Sequence, residues 1–342
     1  MKLLVMGGTW FLGKHVVEGA LARGWDVTTF NRGRSGADVQ GARPVRGDRT
    51  VVDDLRKLTT HGPWDAVVDT SSSDLSPREV LLAVSALKDC TARWVHISTV
   101  SVYKGWPHTA LAEQSELLDC PADADDSFGY TGRDGSPTKY GFQKAGGERA
   151  VATVFANSVF LRPGVILGPD EYVGRLPWWL RRARQGGRFL APGPRTQVIQ
   201  PVDVRDVAAF ALSQATAATI GGYNITHDSG ITFEGFVNAC MEVTSSTGRP
   251  LWVDPDALVS EGVTQWTELP LWRTHRGVWA VDPSRAVAAG LGCRPVRETI
   301  RDTWSWLQNA GRPVSHPRWA EHGIAPEKEA KILASFGSEF QG

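Results

Sequence analysis

Leu3-Leu4-Val5-Met6-Gly7-Gly8-Thr9-Trp10-Phe11-Leu12-Gly13 decides the fold. Leu3 to Met6 is too short for a core helix and too apolar for a surface loop, so it predicts a buried parallel strand. Gly7 and Gly8 supply a tight turn, and Gly13 lets the next helix pack close to the strand. That helix, expected over 11–23, puts Leu12, Val16, Gly19 and Ala20 on one face and ends at Gly24. Its start offers N–H groups and a positive dipole end to a dinucleotide pyrophosphate, with Gly7, Thr9, Trp10, Phe11, Leu12 and Gly13 around it. Trp10 stands where a central glycine would complete the glycine spacing, so a plain strand-to-helix turn is the alternative.

Outward from this stretch, strands are expected at 26–30, 43–46, 66–68 and 93–97, and a helix at 75–87. Strand–helix alternation with short links gives an α/β, doubly wound parallel sheet with its ligand crevice at the carboxyl ends of the strands. Those ends are polar. Asn31 replaces the usual carboxylate after strand two, and Arg32 and Arg34 can pair with a 2′-phosphate, which favours NADP over NAD. The alternative is solvated loop charges. Asp48 either reaches the adenine or caps a helix. Thr70, Ser71 and Ser72 let a cofactor backbone pass closely, or simply turn the chain.

Strand five runs into Ser98-Thr99-Val100-Ser101-Val102-Tyr103, and about forty residues later comes Pro137-Thr138-Lys139-Tyr140-Gly141-Phe142-Gln143-Lys144. On the helix expected over 137–156, Tyr140 and Lys144 share one face. A free tyrosine titrates near about 10. An ammonium one turn away favours the phenolate, so Tyr140 can exchange a proton with a substrate oxygen while hydride moves. Thr99 can donate to the same oxygen. Alone, the Tyr140/Lys144 spacing is common and fits a surface aromatic–cation pair; joined to the glycine turn and the hydroxyl-rich strand end it points to redox chemistry.

Lys and Arg together equal Asp and Glu, 37 each, so no net charge draws nucleic acid or an anionic membrane. The four cysteines are widely spaced, which suggests neither a metal site nor a disulfide framework. The chain enters its first strand at once, leaving no room for a signal peptide, and no apolar run reaches spanning length. A cytoplasmic location is expected. No nucleophile-elbow, zinc-protease or P-loop pattern occurs.

The glycine turn, Asp48, the 98–103 stretch, Tyr140/Lys144 and Leu161-Arg162-Pro163-Gly164 together resemble the extended short-chain dehydrogenase/reductase family, the NAD-dependent epimerase/dehydratase group, over about residues 1–310. The Asn31-Arg32-Gly33 turn resembles its atypical branch, which includes chloroplast stem-loop-binding relatives. The resemblance implies a Rossmann sheet, Thr99, Tyr140 and Lys144 as the catalytic set, and Pro163 and Val165 beside the nicotinamide. Dehydratases of the family carry Asp-Glu after the threonine; Val100 and Ser101 stand here, so elimination lacks its acid and base.

The expected organisation is a dinucleotide-binding domain of residues 1–163 plus about 197–225. A smaller, mainly α substrate-binding domain takes 164–196 and 226–312, with a tail at 313–342. Ser101, Tyr103, Trp178 and Arg195 are the candidate substrate residues. Trp178, Trp179, Trp266, Trp272 and Trp279 can line an apolar pocket, and Arg175, Arg181, Arg195 and Arg273 can clamp a diphosphate. A homodimer through helices 75–87 and 137–156 would explain Gly146-Gly147. The expected activity is an NADP(H)-preferring oxidoreductase acting on a carbonyl or secondary alcohol of a small molecule. The alternatives are a nucleotide-sugar epimerase holding NAD tightly and a non-catalytic RNA-binding relative.

Overall fold

Strand β1 (Lys2–Met6) buries Leu3, Leu4, Val5 and Met6 completely. Such burial requires cover on both faces of the sheet, each apolar side chain contributing about 1.5–3 kcal/mol relative to exposure. The computed structural model describes residues 1–133, 135–309 and 316–337. After β1 come α1 (Phe11–Ala22), β2 (Asp26–Asn31), β3 (Arg43–Arg46), α2 (Val52–Thr59), β4 (Ala66–Asp69), α3 (Pro77–Ala86), β5 (Trp94–Ile97), α4 (Lys139–Val154) and β6 (Ser158–Pro163). The strand Gly221–Ile225 completes a seven-stranded sheet, in which it is followed by β6, β5, β4, β1, β2 and β3. Every pairing is parallel. This is the doubly wound order, with the switch point between β1 and β4.

The chain divides into two compact units. The first comprises Met1–Ile166, Val204–Asp228 and Arg276–Gly292. On one sheet face, α3 and α4 bury Val80, Ala83, Val84, Ala150 and Val151 against Met6, Val67 and Trp94. On the other, Gly19 of α1 leaves room for Leu212 of the helix Val204–Thr216. The segment 276–292 differs from the expected division. It returns to this unit because Asp282 N donates to Leu111 O, and Arg285 donates to the carbonyls of Ile220 and Gly222. Gly146 is explained within the chain, whereas Gly147 has room for a Cβ at ordinary contact distance. A Cβ on Gly146 would strike Pro77 and Cys120, and one on Gly147 would meet Val80.

The second unit comprises Leu167–Asp203, Ser229–His275 and the described residues from Cys293 onward. At its centre is Trp179, whose Nε1 donates to Pro270 O at 2.8 Å and whose ring meets Phe233 and Phe236 edge-on. Trp179 and Trp272 are thus core, and Trp279 is buried in the first unit, which corrects the pocket reading for all three. The helix Pro326–Gly337 is no appendage. Glu329 is buried, pairs with Arg182 Nε at 2.8 Å and accepts from Leu190 N at 3.1 Å. The start of the expected tail, 313–315, and its end, 338–342, lie outside the described residues. Among the described residues, no helix is long and apolar enough to cross a membrane, and no His, Cys, Asp and Glu cluster could hold a metal ion.

Candidate active site

The glycine turn is built as a close approach of backbone to backbone. Gly7 and Gly8 adopt φ of +107° and +98°, the left-handed side that favours glycine. A Cβ on Gly13 would lie 2.8 Å from Gly8 N and 2.7 Å from Thr70 Oγ1. Trp10 needs no such freedom: its backbone is extended (φ −142°), so the missing central glycine is no defect. Trp10, at the N-cap position of α1, makes no side-chain cap bond, and the first turn of the helix carries no acid. An anion can therefore approach the helix dipole here. Thr70 Oγ1 donates to Met6 O at 2.9 Å, so this hydroxyl pins the turn. At the end of β5, Ser98 Oγ is buried with no hydrogen-bond partner among the described residues, an acceptor or donor that a bound group would satisfy. These features fit a dinucleotide.

Past β2 the structure departs from expectation. Asn31 Nδ2 donates to Gly7 O at 3.1 Å, and Asn31 Oδ1 accepts from Gly33 N and Arg46 Nη1 at 2.8 and 2.6 Å. Its side chain braces the glycine turn, which corrects its assignment as a cofactor contact. Thr9 Oγ1 lies 2.9 Å from Ser35 Oγ, so the 32–36 loop closes against the turn. Asp48 accepts from Thr50 N and Oγ1, and the bond from that backbone N–H lowers its carboxyl pKa. This is an Asx turn ahead of α2, whose N-cap position is Val51, so Asp48 does not cap that helix. Its other oxygen lies 3.8 Å from Arg32 Nη1.

Thr138 caps α4 by accepting from Gly141 N at 3.1 Å. Gly141 then lies against the carbonyl of Ser101, where any Cβ would collide with it. This contact brings the first turn of α4, with Tyr140, onto the Thr99–Ser101 turn. Thr99 Oγ1 accepts from Ser101 N at 3.2 Å and donates to Ser101 Oγ at 3.3 Å. Tyr140 is 39% exposed, whereas Lys144 one turn on is buried. Lys144 Nζ donates to Ile97 O at 2.6 Å and to Ser72 Oγ at 2.9 Å, the carboxyl-terminal ends of β5 and β4. Burial pushes the Lys144 ammonium down to about 8, against the pull of Asp69 and Glu148. Gly141→Ala is expected to push α4 off the turn and lower kcat about 100-fold while the chain still folds. Comparing kcat with the thermal midpoint checks this.

Two buried polar groupings flank Lys144 that sequence reading missed. Arg49 makes a bidentate pair with Asp69 at 2.6 and 2.9 Å and donates to Ser71 Oγ. Burial would raise the Asp69 carboxyl, but Arg49 and then His96 outweigh it and hold it well below the usual carboxylate range. On the other side Arg162 grips Glu148 at 2.9 and 2.6 Å and donates to Tyr103 Oη at 2.9 Å, and Tyr103 Oη donates to Asn224 Oδ1 at 2.7 Å. Tyr103 is fully buried in this network, so it is not a substrate residue. Neither pair carries a local sequence signal, since Arg49 and Asp69 are 20 residues apart and Glu148 and Arg162 are 14 apart.

Pro163 closes β6 opposite Ile225, and Val165 is buried just beyond it. In the second unit, Arg195 lies over Trp252 at 5.5 Å and 3.4 Å from Glu234, packing its exposed side chain on that ring. Trp178 packs edge-on to Trp179 and under Gly323, so it too is a packing residue. Of the four clamp candidates, Arg175 and Arg273 come together over Trp266 at 5.3 and 5.2 Å, while Arg181 lies over Trp319.

The chain is 25% identical over 257 residues to the chloroplast stem-loop binding protein of 41 kDa b of Arabidopsis thaliana, covering 70% of this chain. It spans 62% of that relative's length. Solved structures share the fold, two of them as follows. The Bordetella bronchiseptica enzyme WbmH in complex with NAD+ matches with a TM-score of 0.70 at 18% identity, covering 91% of this chain and 99% of that one. The Thermus thermophilus UDP-glucose 4-epimerase complex with NAD matches with 0.65 at 18% identity, covering 91% and 100%. A family model matches residues 3–225, and the chain accordingly belongs to the NAD dependent epimerase/dehydratase family of enzymes.

Proposed function

We propose that the protein is a nucleotide-sugar epimerase that retains NAD and uses Tyr140 as its acid and base. The observation that carries this is the Lys144 ammonium, buried one helical turn beyond the half-exposed Tyr140 and anchored at the ends of β4 and β5. The fold shared with the Thermus thermophilus UDP-glucose 4-epimerase supports the choice of epimerase over reductase.

The glycine turn and the start of α1 would hold the pyrophosphate, and Lys144 the nicotinamide ribose. The bound nicotinamide supplies a reversible hydride acceptor. Tyr140 takes the proton of the sugar hydroxyl and later returns it; a neighbouring cation favours its phenolate form. Thr99 orients the same oxygen. Val100 and Ser101 offer no carboxyl for water loss. NAD is proposed in place of the NADP expected from Arg32. A 2′-phosphate beside Arg32 would also face the Asp48 carboxylate, which lies 3.8 Å from Arg32 Nη1.

The test is to incubate the purified protein with UDP-hexoses, resolve the products, and identify the nucleotide it carries. Epimer formed with NAD retained supports the proposal; NADPH consumed in step with product overturns it. Arg32→Ala is expected to weaken NAD and NADP binding alike, by less than about tenfold, as measured by titration. Loss confined to NADP would return the NADP reading. Activity is expected to fall above about pH 8, because Lys144 is cationic below its pKa and neutral above it. A pH profile of kcat checks this, and an unbroken plateau to pH 10 would contradict it.

A further inference from the structure

We propose that Ser72 and His96 are positioning residues that hold the Lys144 ammonium in place beneath Tyr140. The inference rests on the reading of Lys144 given above. Ser72 is buried and accepts from Lys144 Nζ at 2.9 Å. A hydroxyl that accepts from an ammonium keeps its own proton to donate. The atom that can receive it is His96 Nε2, at 3.4 Å from Ser72 Oγ. That role requires the imidazole proton to sit on Nδ1. The carboxylate of Asp69 favours this tautomer: Nδ1 lies 3.4 Å from Asp69 Oδ2, and a carboxylate gripped by Arg49 only accepts. The Nδ1–Asp69 contact does not meet hydrogen-bond geometry, so Asp69 acts on the ring through its charge.

His96 must also stay neutral. It is fully buried, and burial and then the Lys144 charge lower its pKa, against Asp69 and Glu148. The groups acting on Lys144 are Asp69 at the end of β4, Asp74 in the loop beyond it, Glu148 on α4 and Arg49 ahead of α2. Three anions and one cation thus act on the ammonium, and its hydrogen bonds go to Ser72 Oγ and the Ile97 carbonyl. The Ile97 carbonyl is fixed by the sheet, so Ser72 is the adjustable acceptor, and His96 fixes which way its hydroxyl faces.

The test uses the full chain without cofactor, labelled with 15N-lysine, and follows the Lys144 Nζ signal against pH; Lys144→Arg identifies that signal. Ser72→Ala and His96→Asn are expected to lower the midpoint by about one pH unit, tenfold in the charged fraction. His96→Gln keeps a polar terminus where Nε2 stood and is expected to remain near the parent value. In active preparations the alkaline limb of kcat/KM moves by the same amount. An unmoved midpoint in Ser72→Ala, or a His96→Gln midpoint as low as that of His96→Asn, overturns the proposal. Should His96→Asn fail to fold, Ser72→Ala decides. Shifted midpoints in a chain with no epimerase activity uphold this inference and sink the functional one; epimerase activity with unmoved midpoints does the reverse.

Discussion

Tyr140→Phe is expected to lower kcat by about 10²–10⁴-fold while cofactor affinity stays within about twofold. The phenolic oxygen is the group offered to a substrate proton, and the ring is 39% exposed, so deleting one oxygen leaves no cavity. Lys144, Ser72 and Ile97 keep their bonds, since none of these passes through Tyr140. Turnover is read by product formation and affinity by titration. A fall in affinity as large as the fall in kcat would assign Tyr140 to binding rather than to chemistry.

Arg49→Leu is expected to cost about 3–5 kcal/mol of stability, because it strands the Asp69 carboxylate at zero exposure. The double variant Arg49→Leu/Asp69→Leu is expected to recover most of that loss, since the pair as a whole returns little beyond its desolvation. Denaturant midpoints measure both. The sign with pH follows from Asp69. Its folded pKa lies below the ordinary value of about 3.9, so its stabilisation is complete above that pH and is lost as pH falls through the folded value. Removing both partners removes this part of the acid dependence. Equal losses in the single and double variants would contradict the account.

The parts of this architecture legible in sequence are those encoded over one or two turns. Leu3 to Gly13 reads as strand, bend and helix because apolar run, glycine pair and helix face are contiguous. Tyr140 and Lys144 share a face by spacing alone. What was not legible depends on neighbours far along the chain. Arg49 finds Asp69 twenty residues on, and Gly141 fits only because Ser101 O is beside it. Asn31 reads as a cofactor residue tolerant of a 2′-phosphate until Gly7 O and Arg46 are seen to hold its side chain. Tyr103 follows a hydroxyl-rich strand end, where exposure is a fair expectation, yet Arg162 and Asn224 draw it inward. Likewise 276–292 carries no strand signal of its own; its place is set by Leu111 and the edge strand it meets.

The most direct measurement is the fate of deuterium placed on the sugar carbon that the nicotinamide oxidises. With a UDP-hexose so labelled, the account predicts that the label reappears in the epimer, with no labelled cofactor released and no net change in reduced nicotinamide. Label leaving on free reduced cofactor, in step with a ketone product, would contradict it.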